Sequence, residues 1–135
     1  MKILYVEDNA DYARRIQRKL AEHVQPIYTV IAGSLSEAQS ILGNKPDFDL
    51  VMIGLNPPDC SGLNLLSEIR TKGFPVAVIV LTGRGEEGSA LTALKQGADD
   101  YFIKSDETIT QLVTLLEDTL KKSRAKSRKP GRNGR

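Results

Sequence analysis

The amino-acid sequence predicts an α/β fold, in which a parallel β-sheet is covered by helices on both faces. Five short apolar segments alternate along the chain with five segments of helical periodicity, and such alternation is typical of parallel strands joined by helical crossovers. The runs at residues 50–53 and 76–81 are apolar without interruption, as expected of strands buried on both faces. Because the crossovers must cover the sheet, we expect a three-layer sandwich.

The first strand is predicted at residues 2–6 and the second at residues 27–31, where apolar and β-branched residues dominate. Between them, Asn9 or Asp11 is suited to cap a helix, since both side chains accept hydrogen bonds from free backbone amides. The helix is expected to bury one apolar stripe at helical spacing: Ala13, Ile16, Leu20 and Val24.

The second helix has both a start and a stop signal. Ser34 is followed three residues later by Glu37, which is the spacing of a capping box, and Gly43 is expected to end the helix. The apolar residues predicted to face the sheet are Leu35, Ala38, Ile41 and Leu42. The third strand follows at residues 50–53.

The second half of the chain repeats this alternation. A loop at residues 57–62 precedes a third helix, and a fourth helix at residues 86–96 follows the strand at residues 76–81. A short fifth strand at residues 100–103 leads into a single fifth helix. The residues predicted to face the core from these helices are Leu63, Leu66, Ile69, Ala90, Leu91, Leu94, Ile109, Leu112, Val113, Leu116 and Leu120.

Charge divides the chain near residue 122. All 17 acidic residues lie between Glu7 and Asp118, whereas eight of the 19 basic residues lie in the last 15 positions. From residue 123 onward no apolar residue is larger than alanine, so this segment has little surface to bury. We therefore expect one folded domain over residues 1–122 and a flexible basic tail or linker over residues 123–135.

Composition narrows the class of protein. The longest apolar run, residues 76–81, is far shorter than the roughly 20 residues of a membrane-spanning helix, and the N-terminus has no secretion signal. The single cysteine, Cys60, cannot form an internal disulfide, in keeping with a reducing compartment. We expect a cytoplasmic protein without a membrane partner.

Polar residues and glycines follow the predicted strands at the edge where a functional site is expected. In open parallel sheets, ligands bind outside the carboxyl ends of the strands, near the point where the strand order reverses. The residues at these ends are Glu7 and Asp8, Gly54, Thr82 and Gly83, and Lys104.

Four segments resemble the response-regulator receiver family of two-component signalling. They are KILYVEDNADYARRIQRKL, DLVMIGLNPPDCSGLNLL, PVAVIVLTG and GADDYFIKS, and each stands at a strand end where the family has a functional motif. The resemblance spans about residues 2–121. It implies a flavodoxin-like (βα)5 fold, a three-layer sandwich whose parallel five-stranded sheet has the order 2-1-3-4-5.

The resemblance also implies site residues. Receivers hold Mg²⁺ with two acidic side chains and one backbone carbonyl, and the matching positions are Glu7, Asp8 and Asn56. The matching switch and phosphate-pocket positions are Thr82, Gly83, Tyr101 and Lys104. In the family, an aspartate is the nucleophile that takes the phosphoryl group and forms an acyl phosphate.

Gly54 stands where the family has that aspartate. Glycine has no side chain with which to attack phosphorus or bind a metal, so we expect no phosphorylation at residue 54 and only a weak Mg²⁺ site. Lys104 loses its usual partner and is expected to turn to Glu7 or Asp8. A natural glycine and an engineered replacement in an otherwise phosphorylatable receiver are both consistent with the sequence.

The expected function is therefore that of a signalling module and not of an enzyme. The chain is expected to act by protein contact, with a sensor histidine kinase or another signalling protein, or as a homodimer through helix four, strand five and helix five. The alternative is a nucleic-acid-associated regulator, whose basic tail contacts phosphates without sequence specificity. The sequence leaves open whether an effector domain follows Arg135.

Overall fold

The computed structural model describes residues 1–44, 47–56 and 61–127. Five parallel strands form one sheet with the order β2-β1-β3-β4-β5, which confirms the flavodoxin-like order. The strands are β1 (Lys2–Val6), β2 (Tyr28–Ala32), β3 (Leu50–Gly54), β4 (Ala77–Thr82) and β5 (Asp100–Ile103). Each therefore lies within two residues of its predicted position at both ends.

Helices cover both faces of the sheet. They are α1 (Ala10–Ala21), α2 (Leu35–Asn44), α3 (Ser61–Thr71), α4 (Glu87–Lys95), α5 (Asp106–Thr110) and α6 (Leu112–Ser127). One buried cluster joins α1 and α6 to the face that carries Ile3 and Tyr5. The other joins α2, α3 and α4 to the face that carries Leu4 and Val6. Neighbouring residues of β1 thus point into different layers, as the alternation of a strand requires.

Two of the predicted helix signals are confirmed as hydrogen bonds. The Asn9 side chain accepts a bond of 3.0 Å from the backbone amide of Tyr12, so Asn9 is the cap of α1. Ser34 Oγ accepts from the Glu37 amide at 3.2 Å, and Glu37 Oε1 accepts from the Gly33 amide at 2.6 Å. The capping-box spacing therefore does tie down the start of α2.

Three residues predicted to be buried are exposed. Because α1 ends at Ala21, Val24 lies beyond the helix and is 97% exposed. In α4 the buried residues are Ala90 and Ala93, while Leu91 is 56% and Leu94 36% exposed. The small alanines bring α4 close to the sheet, and successive residues of a helix point about 100° apart, so the two leucines face outward.

The predicted fifth helix is divided into two. Ser105 caps α5 by accepting from the Thr108 amide at 3.1 Å, and Gln111 interrupts the helix with φ −99° and ψ 9°. The longer piece, α6, continues to Ser127 and so crosses the predicted boundary at residue 122. Lysine, arginine and alanine all favour helix. The division of the chain into domain and tail remains a prediction.

Residues 57–60, with Cys60 and most of the predicted proline loop, and residues 128–135 of the predicted tail lie outside the described part of the chain. Within the described residues, none of the helices has the length and apolar character needed to cross a bilayer.

Candidate functional site

The register of the sheet brings the predicted site residues to one edge. Val6 is paired with Ile53, so Glu7 in the loop after β1 lies beside Gly54 at the end of β3. Across β4 and β5, Thr82 is paired with Ile103, and the backbone amide of the next residue, Lys104, donates to the Thr82 carbonyl at 2.7 Å. The four strand ends therefore surround a single site, as the parallel topology predicts.

A buried ion pair occupies the centre of this site. Lys104 Nζ lies 2.9 Å from Glu7 Oε1 and 3.0 Å from Glu7 Oε2. The Glu7 side chain is 0% and the Lys104 side chain 13% exposed. Removing two charges from water is costly unless their remaining hydrogen-bonding groups are satisfied. Of the two partners expected for Lys104, Glu7 and Asp8, the ion pair is with Glu7.

Further donors satisfy the Glu7 carboxylate. The Tyr5 hydroxyl donates to Oε1 at 2.8 Å, and the Asn9 backbone amide donates to Oε2 at 3.2 Å. Tyr5 and Glu7 are two residues apart on β1 and its extension, so both side chains lie on the same face of the sheet. The role of Tyr5 was missed from the sequence, although this spacing of two was the signal that could have revealed it.

Asn56 contributes its side chain to the same site. Its amide Nδ2 donates to Glu7 Oε2 at 2.6 Å and also donates to Asp8 Oδ1. Its Oδ1 accepts from Lys104 Nζ at 2.6 Å. The resemblance implied a role for the backbone carbonyl only, whereas the side-chain amide links both acidic residues to the lysine.

Two tyrosines shape the polarity of the site. Burial first, and the Glu7 carboxylate second, raise the pKa of the Tyr5 hydroxyl, so Tyr5 remains a donor. The ring of Tyr12 lies 5.0 Å from Lys104 Nζ, within range of a cation–π interaction. Burial also raises the pKa of Tyr12. Tyr12 was missed as well, because the apolar stripe of α1 does not include it.

Gly54 provides space for the Glu7 side chain. A Cβ atom built at residue 54 would overlap Glu7 Oε1 and lie 2.8 Å from its Cδ and 3.2 Å from Oε2. Carbon atoms do not approach so closely without displacement. The carboxylate of Glu7 therefore occupies the volume that any side chain at residue 54 would enter.

The oxygen ligands that this site could offer do not suit a divalent cation. Both oxygens of Glu7 are already engaged by Tyr5, Asn9, Asn56 and Lys104, and the Lys104 ammonium places a positive charge against the carboxylate where a cation would need to bind. Asp8 offers one exposed carboxylate. Over the described ranges, no three acidic, histidine or cysteine side chains are grouped as metal ligands would be. The predicted Mg²⁺ ligands Glu7, Asp8 and Asn56 thus meet, but as a hydrogen-bonded cluster.

The predicted switch residues lie on β4 and β5 or directly after them. Thr82 is buried at the end of β4, and a Cβ built at Gly83 would meet no atom within 4 Å. Tyr101 packs against the buried apolar residues beneath α2, α3 and α4. Phe102, two residues before Lys104, packs on the opposite face with α1 and α6. The switching roles of Thr82 and Tyr101 remain predictions.

The chain is similar to proteins of known family. The family model described as the response regulator receiver domain matches residues 3–117. The cell cycle transcriptional regulator CtrA of Caulobacter vibrioides is 31% identical over 119 residues, which cover 86% of this chain and 50% of CtrA. The chain spans about half the length of the curated relatives that it matches.

Solved structures show the same similarity. A response regulator receiver domain protein from Clostridium thermocellum has a TM-score of 0.78 and 27% identity, covering 92% of this chain and 97% of that one. The receiver domain of the Francisella response regulator 1452 has a TM-score of 0.75 and 28% identity, covering 90% of this chain and 98% of that one.

Proposed function

Because the chain belongs to the response-regulator receiver family, a family of signalling modules in two-component systems, we propose that it transmits its signal by protein contact without phosphorylation of residue 54. Receiver domains typically bind Mg²⁺, hold their phosphoryl group on an aspartate and pair it with a lysine. This chain has the lysine, but its partner is Glu7. The proposal follows from this difference: Lys104 is paired with Glu7 and not with a phosphorylated aspartate.

The ion pair between Glu7 and Lys104 is the observation that supports the proposal. A carboxylate can act as a nucleophile only if a phosphodonor reaches it, and the Glu7 side chain is 0% exposed. Gly54 offers no nucleophile at all. The charge of Lys104, which in the family favours the phosphorylated state, is neutralised within the chain.

The outward face of α4 is the proposed contact surface. Leu91 and Leu94 are exposed there, and α4 lies against β4 and β5. We propose that this face, with β5 and the helices that follow it, binds a sensor histidine kinase, another signalling protein or a second copy of the chain. Substituting Leu91→Glu should weaken self-association in sedimentation experiments at high protein concentration. If the wild type is a dimer and Leu91→Glu sediments in the same way, this surface is excluded as the dimer interface.

A second candidate function uses the basic end of α6. Lys121, Lys122, Arg124 and Lys126 are exposed on this helix, and a CtrA protein is described as a transcriptional regulator. Non-specific attraction to nucleic acid would be steeply salt-dependent. The test is binding of duplex DNA by the wild type and by Lys121→Glu/Lys122→Glu over a range of salt concentrations. Equal, salt-independent binding by both would remove this candidate.

Labelling with a phosphodonor tests the main proposal. The full chain is incubated with radiolabelled acetyl phosphate and Mg²⁺, beside a receiver that has the acceptor aspartate. We expect no label on this chain. A stoichiometric label that is stable to acid but labile to base would refute the proposal. Sequencing codon 54 of the natural gene decides between a natural and an engineered glycine. The proposed setting is the cytoplasm, where two-component receivers meet their kinases.

A further inference from the structure

We infer that Gly54 and Glu7 form one coupled unit, in which the inward Glu7 side chain replaces the missing acidic side chain both in volume and as the partner of Lys104. The inference rests on the proposed function and explains how the site is kept in one state. It assigns to Glu7 a role as internal counter-ion of Lys104, and to Gly54 the role of making room for it.

The backbone does not require glycine at residue 54. The glycines with a positive φ in the described part of the chain are Gly73, Gly85 and Gly97, and Gly54 is not among them. Gly54 is the last residue of β3, in parallel register with Leu81 of β4, an extended conformation that any residue adopts. The need for glycine therefore comes from the neighbouring side chain, with which a Cβ would collide.

The charges around Glu7 also indicate that Gly54 and Glu7 form one unit. Only one cationic side chain, Lys104, lies against the buried carboxylate of Glu7 among the described ion pairs. An aspartate at residue 54 would place a second buried negative charge against the first, and like charges at such distances repel strongly in a poorly hydrated site. One inward carboxylate balances one lysine, and Glu7 is that carboxylate.

The donors around Glu7 hold it inward. The Tyr5 hydroxyl reaches Glu7 from β1, two residues earlier in the chain, and the Asn56 side chain reaches it from the segment after β3. Since Asn56 also accepts from Lys104, the three side chains support each other. An aspartate introduced at residue 54 must break this arrangement before it can act as an acceptor, so Gly54→Asp alone should not restore a phosphorylatable site.

A double-mutant cycle on folding stability tests the steric part. Gly54→Ala adds only a Cβ, and we expect it to lower the folding equilibrium constant about tenfold or more in the wild type. The loss should persist beside Glu7→Gln, which keeps the volume, and shrink to about threefold or less beside Glu7→Ala. Gly43→Ala is the control for an unhindered Cβ, because a Cβ at Gly43 meets no atom within 4 Å; it should be neutral or stabilising, since Gly43 lies in α2 and alanine favours helix. Glu7→Asp, shorter by one methylene, takes the place of Glu7→Ala if that variant does not fold.

Two outcomes of the cycle would overturn the inference. In one, Gly54→Ala is as harmless as Gly43→Ala in the wild type, which would mean that the Glu7 side chain does not occupy this volume. In the other, Gly54→Ala is equally damaging in all backgrounds, which would mean that the conflict is with another part of the protein.

Labelling separates this inference from the proposed function. In a restored site, a carboxylate oxygen of the new aspartate attacks the phosphorus of acetyl phosphate, the bond between phosphorus and the acetate oxygen breaks, and acetate leaves. We expect Gly54→Asp to take up at least about tenfold less label than Glu7→Asp/Gly54→Asp, in which the shortened residue 7 frees the volume; tenfold corresponds to about 1.4 kcal/mol. Equal labelling of the two variants would overturn the inference alone, whereas label on the wild type would overturn the proposed function.

Discussion

Lys104→Met is the substitution that most directly tests the energetics of the site. Methionine keeps most of the length of the lysine side chain but removes the charge that faces Glu7. The carboxylate of Glu7, 0% exposed, is then left without its counter-ion, and the Asn56 Oδ1 loses the bond of 2.6 Å that it accepts from Lys104. The variant therefore isolates a buried charge without opening a large cavity.

The expected loss is large for a single substitution. Removing one partner of a buried ion pair costs about 3–5 kcal/mol, since the other charge stays buried and uncompensated. The total free energy of unfolding of a domain is typically about 5–15 kcal/mol. For a domain of this size the loss corresponds to a fall in Tm of about 10–20 °C.

Urea unfolding followed by circular dichroism measures the loss. The control is Lys72→Met, because Lys72 forms an exposed ion pair of 3.2 Å with Glu68 on α3, and such pairs contribute about 0–1 kcal/mol. The double variant Glu7→Gln/Lys104→Met should recover part of the loss, since it removes the unpaired charge as well.

Two results would refute this reasoning. A loss for Lys104→Met no larger than that for Lys72→Met would show that the pair with Glu7 is not buried in solution. If the loss in the double variant equals the sum of the losses for Glu7→Gln and Lys104→Met measured separately, the two side chains do not interact.

Three further substitutions test other parts of the fold. Gly97→Ala should cost about 1–3 kcal/mol, since φ is +112° and the new Cβ would lie 2.9 Å from Arg70 Cγ; urea unfolding no different from that of Gly43→Ala would contradict this. Tyr5→Phe should reduce the loss of folding stability that the wild type shows as the pH rises above 10. Burial raises the Tyr5 pKa above its ordinary 10.0, so the folded chain keeps a proton that the unfolded chain loses, and wild-type stability present below pH 10 falls by up to about 1.4 kcal/mol per pH unit above it. An identical slope in both proteins between pH 9 and pH 11 would rule out this effect. Ser105→Ala should cost about 1 kcal/mol by removing the cap of α5, with faster hydrogen exchange of the α5 amides, whereas unchanged exchange would show that the cap is dispensable.

The sequence predicted the sheet better than the helix surfaces. The uninterrupted apolar runs within β3 and β4 and the β-branched residues of β2 are local signals, and they placed these strands within one or two residues. Val24 and Leu91 have the right spacing for a buried stripe, yet both are exposed. The end of α1 and the rotation of α4 depend on packing against the sheet, which no local pattern records.

The candidate site was predicted in its members but only in part in its connections. Glu7, Asp8 and Lys104 were placed at one edge, because parallel strands bring their carboxyl ends together, and the resemblance to the receiver family added Asn56. The hydrogen bond from Tyr5 and the side-chain role of Asn56 were missed. Each depends on which rotamer Glu7 adopts, and this is decided by all its neighbours at once.

By itself, the sequence determined the α/β class, the five strands and the absence of a nucleophile at residue 54, since these follow from periodicity and from the identity of single residues. The tertiary structure alone decided what fills the space at Gly54. The Glu7 carboxylate lies there because Lys104, 97 residues away, and Asn56, 49 residues away, meet it at the sheet edge. Contacts between residues so distant in sequence exist only once the strands are assembled.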